Sequence, residues 1–252
     1  MCGICGIFSA RTCVEKEDEC FVRAMMDCLA HRGPDGQGMH SIPGACLGHR
    51  RLAVIDVEYG IQPMSSEDCR YTLAFNGEIY NYVELRQNLL EEGVAFKTCS
   101  DTEVLLHMLI QQGTQALEHL NGMFALAFLD NQTREWLLVR DPFGIKPLYY
   151  TTTAANDFVF ASEIKALLQH PRVTRSENWR AIQHYLTFQY CLHGETLFQG
   201  IQALEPGFCL RGRGCRVIDA IRYWDTDYHV DEYHTEGYFV HKLRTLLEDS
   251  AR

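Results

Sequence analysis

Hydrophobic residues recur along this chain with two different periods. Over residues 17–31 they fall at Phe21, Met25 and Leu29, a helical spacing, and Arg32-Gly33-Pro34 supplies a stop. Residues 82–92 read as a second helix, closed by Gly93. A third opens on Ser100-Asp101-Thr102-Glu103, a capping box, and runs through Val104, Leu105, Met108 and Leu109 to Gly113. A last one, over residues 238–252, carries Phe239, Leu243, Leu246 and Leu247 at the same spacing. Between these lie short β runs at residues 3–8, 71–75, 124–128, 136–139 and 158–161. Asp130-Asn131-Gln132-Thr133-Arg134 joins two of them as a hairpin. Residues 210–215 read as a turn-rich connection. Helices cluster early and strands pair locally, without βαβ alternation. That predicts an α+β fold with antiparallel sheets.

Composition narrows the function classes. The chain has 252 residues, 46% hydrophobic and 22% charged, which is ordinary globular composition. A net charge of −10 argues against a nucleic-acid surface. No apolar run approaches a membrane span, and the first residues lack the basic stretch and apolar core of a signal peptide. Eleven cysteines, an odd number without framework spacing, fit free thiols in a reducing compartment, so a cytoplasmic location is expected. The histidines form no metal-binding pattern, and there is no Walker-type loop or dinucleotide fingerprint.

The chemistry is concentrated at the start. In Met1-Cys2-Gly3, removal of the methionine makes Cys2 the N-terminal residue. A thiol reacts as thiolate, with an ordinary pKa of about 8.5. A free α-amine titrates at about 7.7–8.0. Nucleophile and base then come on one residue. Cys2 and Cys5 also form C-x-x-C, so a redox or metal-binding role stands as the alternative.

Further segments carry a resemblance. They are His31-Arg32-Gly33-Pro34-Asp35-Gly36, Gly48-His49-Arg50-Arg51-Leu52-Ala53-Val54-Ile55-Asp56, Phe75-Asn76-Gly77-Glu78-Ile79-Tyr80-Asn81 and Ser100-Asp101. Arg140-Asp141-Pro142-Phe143-Gly144-Ile145-Lys146-Pro147-Leu148-Tyr149 and Ala161-Ser162-Glu163-Ile164-Lys165-Ala166-Leu167 add to them. With Cys2-Gly3-Ile4, this ordered set resembles the glutaminase half of glutamine-hydrolysing asparagine synthetases. That half is a class II glutamine amidotransferase of the N-terminal-nucleophile hydrolase type. The fold implied is a four-layer α/β/β/α sandwich of two antiparallel sheets.

The resemblance implies roles. Cys2 is the nucleophile, and Asn76 and Gly77 form the oxyanion hole. Arg51, Leu52, Val54, Asn76, Gly77, Glu78 and Asp101 bind L-glutamine, with Arg51 on its carboxylate and Glu78 and Asp101 on its ammonium. Arg50 is the competing choice beside Arg51, and Asn76-Gly77 equally reads as a hairpin turn. If the Cys2 amine is not the base, His49 is the next candidate. The glutaminase half needs no cofactor or metal. ATP and Mg²⁺ belong to a synthetase domain, whose Ser-Gly-Gly-x-Asp-Ser pyrophosphate loop this chain lacks. Residues 1–212 are expected to be the glutaminase domain, and 213–252 a linker plus the first helix of that absent partner domain. The chain is then an excised piece or a free-standing amidotransferase. A homodimer is compatible with this reading; nucleic acid and membrane are not partners. A different carboxylate acceptor, or a non-catalytic regulatory role, are the alternatives.

Overall fold

The computed structural model describes residues 1–10 and 16–251. Among the described residues, twelve strands form two six-stranded sheets, with every ladder antiparallel. The first sheet is built from β1 (Gly3–Phe8), β2 (Gly36–Ile42), β3 (Ala45–Arg51), β8 (Tyr149–Thr152), β9 (Phe158–Ala161) and β10 (Gln202–Ala203), in the order β10-β8-β9-β1-β3-β2. The second contains β4 (Met64–Ser65), β5 (Tyr71–Ile79), β6 (Gly122–Asp130), β7 (Glu135–Arg140), β11 (Phe208–Arg213) and β12 (Arg216–Arg222), in the order β12-β11-β7-β6-β5-β4.

Three apolar clusters define the layers. α1 (Lys16–Cys28) and α4 (Ile164–Leu167) cover one face of the first sheet through Val22, Met25, Met26 and Leu167 against Cys5, Ile7 and Cys46. α2 (Tyr82–Glu91) and α3 (Asp101–Gln112) cover the outer face of the second through Leu85, Leu89, Val104 and Leu105 against Leu73, Phe75 and Ile79. The third cluster lies between the sheets and takes Ile4, Phe8 and Leu47 from one, and Ala74, Ala125, Trp136 and Leu138 from the other. This is the α/β/β/α sandwich implied by the family resemblance. Its inner layer is filled by rings: Phe8 stacks on Trp136 at 4.8 Å between centroids, and Trp136 on Phe158 at 4.8 Å.

The strand period of two decides which side chains reach the inner layer. In β1, Ile4 and Phe8 face inward while Cys5 and Ile7 face α1. In β3, Leu47 faces inward and Cys46 faces α1. In β5, Ala74 faces inward and Phe75 faces α3.

Several expectations are corrected here. Asn76-Gly77 is no turn: β5 runs through it to Ile79, with Asn76 opposite Ala125 and Gly77 opposite Phe124. The two-residue hairpin rule fails because β6 offers a full-length partner. The turn-rich reading of residues 210–215 is also wrong. They hold the end of β11, and β12 returns beside it, so the sheet continues past residue 212. The capping box is half formed. Ser100 Oγ accepts Glu103 N–H at 3.2 Å, but the Glu103 carboxylate turns to the N–H groups of Lys97 and Thr98, at 2.9 and 2.7 Å. The short α5 (Trp179–Phe188) is unanticipated. The last helix, α6, spans Glu236–Ser250 and buries no residue; Arg252 lies outside the described residues. No helix among the described residues is long and apolar enough to cross a membrane.

Candidate active site

A cavity of about 190 Å³ opens at the end of the sandwich where β1 begins, β3 ends and β5 runs out. Cys2, Arg51, Leu52, Val54, Asn76, Gly77, Glu78 and Asp101 all line it. Side-chain alternation explains most of this convergence. Cys2 keeps the phase of Ile4, Arg51 that of Leu47, and Asn76 and Glu78 that of Ala74, so all four aim between the sheets. Cys5 has the opposite phase and is fully buried against α1, its thiol 3.9 Å from Val22 O. Cys2 and Cys5 therefore face different layers and cannot act as a C-x-x-C pair.

The same parity separates the two arginines. Arg50 points at α1, donating to Met26 O at 3.0 Å and to Gln37 Oε1 at 2.6 Å. Arg51 faces the cavity. Its guanidinium donates to the carbonyls of Val57, Ile55 and Asp56 at 2.8, 3.2 and 2.6 Å, and it has further N–H donors to spare.

The sulfur of Cys2 is held by the backbone of Leu52. It accepts Leu52 N–H at 3.3 Å and donates to Leu52 O at 3.5 Å. Burial pushes the thiol above its ordinary pKa. The Leu52 contact, the N-terminal ammonium and Arg51 pull it back, and Asp101 pushes it up further. His49 is fully buried, with Nε2 2.9 Å from Phe75 O, and burial lowers its pKa to about 4. It is a neutral bridge between the sheets and does not line the cavity.

Asn76 is the least satisfied group in the site. It is 1% exposed, and neither its Nδ2 nor its Oδ1 has a hydrogen-bond partner. A buried amide left open costs stability, roughly 1–3 kcal/mol, so one facing a cavity marks a ligand position. Gly77 beside it admits no side chain: a Cβ there would sit 2.4 Å from Met123 O.

Asp101 stands in the first turn of α3 and is 5% exposed. Its Oδ2 accepts Ile79 N–H at 3.1 Å. Burial raises its pKa to about 6, the bonds from Ile79 and Thr102 oppose this, and the nearby Glu78 charge adds to it. Two carboxylates thus share one side of the cavity, opposite in charge to Arg51.

Sequence reading missed three contributors. Gln62, 7% exposed, lines the cavity and ties its wall to β5, accepting Phe75 N–H at 2.7 Å. Asp56 joins the Arg51 loop to the segment before α3, accepting Cys99 N–H at 2.7 Å. Lys146 reaches the cavity from a loop pinned by Asp141, whose carboxylate accepts the N–H groups of Phe124, Phe143, Ile145 and Lys146. Asp56 and Lys146 stood in recognisable segments, but nothing local showed what they would contact. Gln62 carried no signal. Among the described residues no group of three His, Cys, Asp or Glu side chains is placed to hold a metal ion.

A glutamine amidotransferase domain model matches residues 1–224. The chain is 42% identical over 218 residues to asparagine synthetase (glutamine-hydrolyzing) 1 of Bacillus subtilis strain 168, covering 85% of this chain and 34% of that protein. It is 35% identical over 256 residues to asparagine synthetase (glutamine-hydrolyzing) 3 of the same organism, covering 100% and 41%. The chain therefore spans less than half the length of these relatives. In fold it is similar to the solved allosteric regulatory enzyme of purine biosynthesis, at a TM-score of 0.66 and 22% identity over 89% of this chain and 49% of the other. Glutamine phosphoribosylpyrophosphate amidotransferase from B. subtilis gives 0.64 and 22%, over 89% and 50%. The two-sheet sandwich is thus a fold this chain shares with both solved enzymes. With its domain model matched over residues 1–224, the chain belongs to the glutamine amidotransferase domain family.

Proposed function

We propose that this chain hydrolyses L-glutamine to L-glutamate and ammonia once Met1 is removed. The observation that carries the reading is the buried, unpartnered carboxamide of Asn76, in the same cavity as the Cys2 sulfur. The Cys2 thiolate attacks the side-chain carbonyl carbon of glutamine. The oxygen takes the negative charge, met by Asn76 Nδ2 and the Gly77 N–H. The Cys2 α-amine takes the thiol proton and returns it to the departing nitrogen, so the C–N bond breaks and ammonia leaves. Water then attacks the thioester, the C–S bond breaks, and glutamate is released. Arg51 takes the α-carboxylate of glutamine; Glu78 and Asp101 take its ammonium.

The names of the relatives support a second step in a longer protein. There the ammonia would attack an aspartate carboxyl activated with ATP and Mg²⁺ by a synthetase domain. We place the end of the glutaminase domain after β12 and read the exposed apolar residues of α6 as facing that domain. The free thiols among the described cysteines fit a reducing cytoplasm.

Two substitutions separate the roles. Asn76→Ala is expected to lower kcat about 10²–10³-fold, the usual loss for one oxyanion donor. Arg51→Ala is expected to raise KM for glutamine, since a hydrogen bond to a charged group is worth roughly 1.5–3 kcal/mol. Steady-state glutamate production measures both, and the reverse pattern would exchange the assignments.

Asp101 adds a pH dependence. Its folded-state pKa is raised, so the neutral form persists to higher pH than for an ordinary carboxylate. Keeping it ionised therefore costs stability as pH rises through about 6. An ammonium ligand needs the ionised form, so affinity is fully present above that value and falls as pH drops through it. Glutamine titrated calorimetrically into the Cys2→Ala variant should weaken by up to about tenfold per pH unit on the acid side. In Asp101→Asn the dependence should flatten. A slope that survives this substitution would remove Asp101 from the ammonium site.

A further inference from the structure

Cys2 lies one residue ahead of β1, beyond the last ladder pair, Gly3 with Arg50. Its carbonyl oxygen is held instead by a side chain: Arg32 Nε donates to it at 2.9 Å. Arg32 is buried, with 8% of its side chain exposed, and its Nη1 donates to Glu163 Oε1 at 2.8 Å. Glu163 also takes His31 Nε2 at 2.9 Å and Lys165 Nζ at 3.0 Å, but both of those side chains are about half exposed. Arg32 is its buried partner.

Glu163 is itself fixed to the N-terminal strand. Its neighbour Ser162 donates N–H to Ile4 O at 2.8 Å, and Ser162 Oγ accepts Ile4 N–H at 2.9 Å. One short segment after β9 therefore grips Ile4 directly and Cys2 through Arg32. Burial raises the Glu163 pKa, but the bonds from Arg32, Lys165 and His31 outweigh it and hold the carboxyl down to about 2. It is an anion at neutral pH.

We propose that Glu163 is a positioning residue for the nucleophile: it holds Arg32 in the orientation that grips the Cys2 carbonyl, and so fixes the thiol and amine of Cys2 against Asn76 and Gly77. The proposal rests on the glutaminase reading. Once Met1 is removed, Cys2 is a chain terminus, and termini fray unless tied down. A productive site tolerates only about 0.5 Å of misplacement, and an error of about 1 Å can cost about 10²-fold. Without Glu163, Arg32 is a buried cation without its counter-charge and no longer has one defined orientation. Glu163 is not among the residues lining the cavity, so glutamine affinity should be spared.

The test is a double-mutant cycle on the chain with Met1 removed, read as kcat and KM for glutamate release, with melting temperature as a check on folding. Glu163→Ala is expected to lower kcat by about 10- to 100-fold with KM within about twofold. Glu163→Gln, which keeps an acceptor for Arg32, should lose less. Arg32→Lys, which loses the planar fork, should fall in kcat as well. Adding Glu163→Ala to Arg32→Lys should then cost less than about twofold more, because the two act as one unit. Lys165→Met should leave kcat unchanged. Should the alanine variant fail to fold, Glu163→Gln carries the same cycle. Wild-type kcat in the Glu163 variants, a loss confined to KM, or losses that simply multiply would overturn the proposal. A wild-type chain that releases no ammonia would instead overturn the glutaminase reading, and the proposal with it.

Discussion

Cys2→Ala is expected to abolish ammonia release from glutamine while leaving glutamine binding measurable. The sulfur sits in a cavity that also holds the open amide of Asn76 and the guanidinium of Arg51, and it is positioned by the backbone of Leu52. Removing it deletes the bond-forming atom and little of the binding surface. In hydrolases with a covalent intermediate such a loss costs on the order of 10⁶ in kcat. Serine in its place should also be severely impaired, because its hydroxyl is a far weaker acid than the thiol and the amine cannot ionise it usefully. Ammonia release measures the first effect and calorimetry the second. Wild-type turnover in the alanine variant would sink the mechanism.

The second large effect is expected from a single processing event. With Met1 in place the nitrogen of Cys2 belongs to a peptide bond and cannot serve as a base. The free amine then sits on Met1, with its Cα about 3.8 Å further along the chain. The Met1 side chain also occupies the site: it lines the cavity, and its sulfur lies 3.9 Å from Arg32 Nη2. A chain retaining Met1 is therefore expected to be nearly inactive, and a chain beginning at Cys2 active. Intact mass sorts the two populations, and glutamate production can be assayed on each. Equal rates would rule out the α-amine as base. His49 would not replace it, being buried, neutral and bonded to Phe75 O.

The elements whose signal is local were visible in the sequence. The apolar spacing of α1 and α2, the N-cap of α3 at Ser100, and the alternating runs of β1, β6, β7 and β9 all appear where the pattern placed them. The local signal misled where long-range pairing overrode it. Asn76-Gly77 has turn chemistry, yet β6 supplies partners through Gly122 and keeps it extended. The end of β11 and the start of β12 looked like a connection because Arg211-Gly212-Arg213-Gly214 has no apolar alternation.

For the site, the residue types and their order along the chain, with the family resemblance, were enough to nominate eight of the residues that line the cavity. Cys2 and Asp101 are 99 positions apart, and no local rule brings them together. Tertiary structure decided the rest. It turned Arg51 toward the cavity and Arg50 toward α1, and separated Cys2 from Cys5, because strand phase relative to a packed neighbour is fixed only when the sheets stack. It brought in Gln62, Asp56 and Lys146, and it joined Glu163 to Cys2 through Arg32, because a loop side chain acquires a direction only from the elements it packs against. Composition and order specify which chemistry the chain carries. The stacking of two sheets specifies which of its atoms meet.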